Sequence, residues 1–375
     1  MARTHARGGK RRSRRRFLLG GAATTAGAAL AAPQVVGAQP AAWRFQSTWS
    51  PKDIFHEFAV DYAGKVSAMS GGRLRLEVLS AGAVIPTFQI ADAVHAGIID
   101  GAHGVCAYSY GKHKAYSLFG TPPSFGWDAH SLLGWFYHGG GEALYRELVN
   151  DILKLNVVGL LYFPMPTQPL GWFKKPIRSG DDLKDLKFRS VGLSADLFKE
   201  MGAAVTIMQS GEIVRAMGAG LLDGAEFNNP TSDLTAGLAD ASQFYMMGSH
   251  HQPAEVFEVL FNRTRFAALP GDLQAILRHA ALAASTDQLG IAYDRYAKSL
   301  EEIRKRGINV VKTSESVLDA QLAAWDRVIA AWSRDSFFAR VIASQKAWVK
   351  RTAPYLQIDT LDSAALQAAY RHFFG

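Results

Sequence analysis

The chain has 375 residues, with 41 Lys/Arg against 33 Asp/Glu and a formal net charge of +8 at pH 7. Eight of the bases (Arg3, Arg7, Lys10, Arg11, Arg12, Arg14, Arg15 and Arg16) precede Ala38 in a stretch without acids, so 33 bases face 33 acids in the remainder. That balance removes the basic footprint that nucleic-acid binding requires. The single cysteine, Cys106, excludes an internal disulfide and a thiolate metal cluster.

Ser13-Arg-Arg-Arg16-Phe-Leu-Leu19 has the form of a twin-arginine signal, followed by a mild apolar run from Phe17 to Ala32 and the small residues Val36-Gly37-Ala38. At about 16 residues the run is short for a membrane span. Residues 1–38 are therefore predicted to be a twin-arginine signal peptide, with a product in the periplasm that starts near Gln39. A disordered basic tail is the alternative.

Trp43 to Thr48 predicts a short strand, and Pro51 suits a first helical turn. Phe55, Phe58, Ala59, Tyr62 and Val66 recur at helical spacing, and Ser70-Gly71-Gly72 ends that helix. Arg73 to Val78 alternates as a half-exposed strand. The segment Asp92 to Ala102 resembles Glu212 to Ala225: in each an amphipathic helix reaches a glycine, and Asp-Gly turns the chain into a short apolar strand. The echo suits two similar α/β lobes, or is a coincidence of a common local pattern. Asn156 to Phe163 predicts a buried strand, and Val256 to Phe261 a second.

Residues 272–306 form one helical pattern that Gly307 stops. Leu318, Leu322, Trp325, Ile329 and Trp332 then step by four and three, a stripe that buries a helix against its own lobe or a partner subunit. The predicted fold is α/β, a two-lobed binding protein with hinged lobes and long C-terminal helices. Lobe I takes 39–163 plus 253–313, lobe II takes 164–252, and 314–375 is a C-terminal helical extension.

Enzyme signatures fail on their spacing. Gly104 to Lys112 has the wrong interval for a phosphate loop, and His113 stands where Ser or Thr is needed. His138-Gly139-Gly140-Gly141 lacks any Gly-x-Ser-x-Gly to supply a nucleophile. His250-His251 has neither helical zinc spacing nor a third ligand. What remains is Arg189, at the end of a short strand just before a helix. There a guanidinium points into the crevice where open α/β sheets bind ligands, and its planar fork grips a carboxylate.

Leu183-Lys-Asp-Leu-Lys-Phe-Arg189, Met201-Gly-Ala-Ala-Val205 and Asp223-Gly-Ala-Glu226 resemble the solute-binding proteins of tripartite ATP-independent periplasmic (TRAP) transporters. Gln168-Pro-Leu-Gly-Trp172-Phe173-Lys-Lys-Pro176-Ile177 is similar to the signature of the branch that binds 2-oxoacids and lactate. The resemblance implies a type II-like binding-protein fold with Arg189 on the substrate carboxylate. It also implies a cation, Na⁺ or Ca²⁺, held by Gln168, Glu226 and the Phe227 carbonyl, an oxygen donor set that suits hard ions.

The sequence departs from the family pattern at two places. Phe227 stands where Trp is usual, and Gln252 of His251-Gln252-Pro253 stands where Glu is familiar, so an amide replaces a carboxylate among the metal ligands and favours a monovalent ion. Asn228, Tyr108, Tyr110 and Trp49 complete the predicted substrate-binding set. The implied function is capture of a small monocarboxylate such as pyruvate or lactate by lobe closure, for delivery to TRAP membrane permease subunits. A homodimer through the C-terminal helix is a further expectation. A sugar-acid or amino-acid ligand, or a periplasmic enzyme with Glu226 as base, is the alternative.

Overall fold

A computed structural model describes residues 41–375; the signal peptide predicted for 1–38 lies outside the described residues. In chain order β1 (Ala41–Ser47), α1 (Ile54–Met69), β2 (Leu74–Leu79), α2 (Ile90–His95) and β3 (Gly101–Val105) come first. Helices α3 (Ala129–His138) and α4 (Gly141–Arg146) lead to β4 (Val157–Met165), β5 (Gly171–Phe173) and β6 (Lys187–Arg189). Then follow α5 (Gly192–Glu200), β7 (Ala204–Thr206), α6 (Ser210–Gly218), β8 (Gly224–Ala225), α7 (Pro230–Ala236), α8 (Leu238–Ala241) and β9 (Phe244–Met247). The chain closes with β10 (Glu255–Asn262), α9 (Arg263–Ala267), α10 (Gly271–Lys305), β11 (Asn309–Lys312), α11 (Glu315–Trp332), α12 (Ser336–Asp359) and α13 (Ser363–Phe374).

These strands build two mixed sheets, β2-β1-β3-β10-β4 and β11-β9-β5-β8-β6-β7. The chain passes from the first to the second between β4 and β5 and returns between β9 and β10. The two crossings are tied together, Gln168 N donating to Gln252 O at 3.1 Å and Thr167 Oγ1 to Pro253 O at 3.0 Å. Helix α10 packs on β4 and α1 of the first lobe and on α7 of the second, and then feeds β11. Strand β11 pairs with β9, which moves residues 309–312 from the lobe predicted for them to the edge of the second sheet.

Local chemistry accounts for the elements. Asp53 caps α1 by accepting from Phe55 N, so the helix starts at Ile54 and Pro51 lies in the preceding turn rather than inside the helix. Strand β2 buries Leu74 and Leu76 and exposes Arg75 and Glu77. The internal echo is structural. After α2 and after α6 the chain turns through glycines with positive φ, Gly97 (71°) and Gly220 (73°). Asp100 Oδ2 then accepts from Arg44 N of β1 at 2.7 Å, and Asp223 Oδ2 from Lys187 N of β6 at 3.1 Å. In both lobes the aspartate pins an interior strand to its parallel neighbour.

The C-terminal helices cover both lobes. Helix α11 packs on α5 with Val317, Gln321, Ala324, Trp325 and Val328 buried, a stripe rotated from the one predicted; Leu322 is 39% exposed. The rotation has a polar cause. Gln321 Oε1 accepts from His250 N at 2.8 Å and Trp325 Nε1 donates to His250 O at 2.7 Å, so this face satisfies the returning crossing. Helix α12 packs on α3 and α4, where Trp348 lies against Gly134 and Gly139. Helix α13 buries none of its residues. No helix among the described residues is long and apolar enough to cross a membrane.

Candidate functional site

Strands β6 and β8 run parallel, with Arg189 opposite Ala225. Arg189 is the last residue of β6 and Glu226 is the first after β8, so both side chains leave the carboxyl ends of adjacent parallel strands. That is where open α/β sheets form their binding crevice. Arg189 is 1% exposed and Glu226 is fully buried. Arg189 Nη1 donates to Glu226 Oε1 at 3.1 Å and to Glu226 O at 2.9 Å, while Nε and Nη2 both donate to Met208 O, at 3.2 and 3.1 Å. Four bonds hold the guanidinium plane, and one Nη2 proton remains unassigned. The ring of Phe227 lies 5.9 Å from the guanidinium carbon.

Gln168 joins this pair from the outgoing crossing. Its Nε2 donates to Glu226 Oε2 at 3.3 Å and to the Phe227 carbonyl, and its Oε1 faces His251 Nε2 at 3.2 Å. The ligands implied by the family resemblance thus converge, with the polar end of an amide between the carboxylate and the carbonyl. His251 is buried, which pushes its pKa down to about 3, and its Nδ1 meets Ser249 Oγ at 2.7 Å. A neutral imidazole with either tautomer fits; toward Glu226 and the Phe227 carbonyl, both acceptors, the amide presents its NH2, and turning Oε1 there requires a cation between the oxygens.

Gln252, on the returning crossing, is 1% exposed and its Oε1 has no hydrogen-bond partner. Glu255 begins β10, is 3% exposed, and leaves Oε2 without a partner. Burial first, and the charge of Glu226 second, push the pKa of Glu255 up to about 8, with Arg189 pulling the other way. Burial also raises the pKa of Glu226 against the pull of Arg189. Two orphaned buried oxygens, one on the returning crossing and one at the start of β10, together with the carboxylate and carbonyl that follow β8, form an all-oxygen set of the kind a hard cation takes, and an orphan that met the ion would gain a partner. Among the described residues no group of three or more His, Cys, Asp or Glu is arranged for a metal, so such a site depends on amide and main-chain oxygens.

The first lobe supplies the opposite wall. Trp49 is 1% exposed, packs on Phe55, His103, Phe257 and Tyr108, and leaves its Nε1 proton unpaired. Burial leads the rise of the Tyr108 pKa, and the charges of Arg189, Glu255 and Glu226 all act on it, which brings both lobes to one space. A groove of about 440 Å³ lined by Tyr108, Tyr110, Val191 and Gly192 flanks this cluster. Asn228 is buried beside Asp233, which accepts from Asn228 N and Asn229 N.

Tyr110 departs from expectation. Its hydroxyl donates to the Asp196 carboxylate of α5 at 2.6 Å, so it ties the lobes together and is not free for a ligand. The sequence reading missed Glu255 and the Met208 carbonyl, and of His250-His251 it did not single out His251. Glu255 carries a signal, as an acid at the start of a largely apolar run.

Two sheets joined by paired crossings and closed over a clamped arginine define a two-lobed ligand-capturing protein. Residues 45–335 match the DctP family, described as bacterial extracellular solute-binding protein, family 7. The chain belongs to that family, whose members are periplasmic receptors that hand solutes to TRAP permease subunits and are not enzymes. It is 30% identical over 328 residues to the monocarboxylate 2-oxoacid-binding periplasmic protein of Nostoc sp., covering 87% of this chain and 88% of that one. Two solved TRAP periplasmic solute-binding proteins superpose with TM-scores of 0.80 at 27% identity, each covered completely and covering 90% of this chain. That of Colwellia psychrerythraea holds calcium and pyruvate, and that of Pseudoalteromonas atlantica holds sodium and pyruvate.

Proposed function

We propose that this chain captures a small monocarboxylate, a 2-oxoacid or 2-hydroxyacid such as pyruvate or lactate, together with a hard cation. The observation that carries the reading is the buried Arg189–Glu226 pair, with Gln168 and the Phe227 carbonyl on one side; Gln252, on the crossing bonded to that of Gln168, has an orphaned buried oxygen. Arg189 pairs with the ligand carboxylate. Gln168, Glu226, the Phe227 carbonyl and Gln252 hold the cation, whose bound charge polarises the neighbouring keto or hydroxyl oxygen. Trp49, Tyr108 and Asn228 line the remaining space. Closure excludes water, and charged hydrogen bonds strengthen in the drier site.

Calorimetric titration of dialysed protein with pyruvate and lactate, with and without Na⁺ or Ca²⁺, tests this. Binding that needs the ion, with the acid recovered intact, is the expected result. Preference for a hexuronate or an amino acid, or turnover of the acid, refutes it. We further propose export by the twin-arginine route, which fails when Arg14 and Arg15 become lysine; unimpaired periplasmic accumulation of that variant counts against it. The protein is also proposed to form a homodimer through its C-terminal helix.

A further inference from the structure

We propose that Glu255 is a cation ligand supplied by the first lobe, and that it makes the site a two-carboxylate, divalent-ion clamp across the hinge. The inference rests on the cation reading above and goes beyond it in residue, ion class and consequence. Glu255 opens β10 in the first sheet opposite Met165, the last residue of β4. Gln168 and Gln252 sit just beyond these two strand ends, on the crossings that are hydrogen-bonded to each other. Glu226 follows β8 in the second sheet. The donors therefore come from the first lobe, both crossings and the second lobe.

The state of Glu255 requires a partner. Its Oε2 is buried and unbonded, and a buried polar atom of this kind is satisfied in a folded protein by protein, water or an ion. Arg189 makes no hydrogen bond to it: four of its five protons go to Glu226 and Met208, and the fifth is left for the ligand carboxylate of the proposed function. Charge selects the ion. Glu226, Glu255 and a ligand carboxylate bring three negative charges, and Arg189 brings one positive, so a doubly charged cation balances the site where a monovalent one leaves it negative. Glu255 thus supplies the charge that Gln252, an amide, does not. An ion shared by carboxylates of both lobes also links its own binding to closure, since an open hinge separates two of its ligands.

The test is Ca²⁺ and Na⁺ titration, by calorimetry and thermal shift, of the wild type, Glu255→Gln, and the double variant Gln252→Glu/Glu255→Gln. The wild type should prefer Ca²⁺. Glu255→Gln should lose at least about tenfold in Ca²⁺ affinity, keep its Na⁺ response, and show no fall in melting temperature without metal, because an amide of nearly the same shape replaces a buried carboxyl that makes no hydrogen bond through Oε2. The double variant should recover Ca²⁺ binding, which a purely structural role for Glu255 does not predict. Ion-dependent binding with Ca²⁺ affinity unchanged in Glu255→Gln overturns this inference alone. Pyruvate binding by the wild type without any ion overturns it together with the cation reading. If Glu255→Gln fails to fold and the double variant folds without binding Ca²⁺, the inference is also overturned.

Discussion

Arg189 is held in place for the carboxylate-pairing role proposed for it. Its guanidinium is anchored by the Met208 carbonyl and by two oxygens of Glu226, so a carboxylate meets a cation already oriented. Replacing Arg189 with alanine leaves Glu226 buried and unpaired, a loss of about 3–5 kcal/mol for a broken buried pair. The variant should lose acid binding and melt well below the wild type. Adding Glu226→Gln should restore part of the stability but none of the affinity. Equal melting temperatures for the single and double variants count against this pairing, and calorimetry reads the affinity. The proposed role of Arg189 was legible from the family resemblance of Leu183 to Arg189, not from its place at a strand end alone. The roles of Glu255 and Met208 were not, since nothing in their neighbourhood along the chain marks which side chain lies across the hinge.

At the level of elements, the N-terminus of α5 is where the lobes touch. Gly192 has φ of 61°, and a Cβ there would lie 2.9 Å from Ala107 Cβ and 3.1 Å from Ser117 Oγ, both in the first lobe. Alanine at 192 therefore meets two penalties. The left-handed backbone costs about 1–2 kcal/mol whether the lobes are open or closed, and the contact with Ala107 opposes closure alone. Ligand affinity should fall by about tenfold while the fold persists, as calorimetry and circular dichroism will report; unchanged affinity refutes the contact. Short elements were the hardest to place from sequence. Strand β8 has two residues and β11 four, and β11 lies in the second sheet because its partner β9 is there. Helix α11 was legible as a helix, but its buried face was set by the polar needs of His250 rather than by its leucines.

For the whole molecule, the uncovered apolar surface is the C-terminal end. Leu361, Leu366, Tyr370, Phe373 and Phe374 are each more than half exposed, and α13 has no buried residue against the described part of the chain. Monomers seldom leave that much clustered apolar surface in water. The stripe on α11 is occupied by α5, which transfers the proposed dimer contact to α13. Sedimentation or small-angle scattering should give twice the chain mass for the full protein and a single mass after truncation at Thr360, with pyruvate binding retained. A monomeric full-length protein refutes the dimer.

Sequence alone determined the two-lobed α/β class and the echoed helix-turn-strand units, and the family resemblance of its short motifs pointed to Arg189, Gln168 and Glu226 as the candidate site. These are properties of local pattern: periodicity, turn residues and short motifs survive being read one segment at a time. Tertiary structure decided which oxygens were left without partners, which hydroxyl was already engaged, and which face of α11 was buried. Each of those depends on what another part of the chain brings to the same few ångströms, and burial, which changes the strength of every charge, exists only once the lobes have closed.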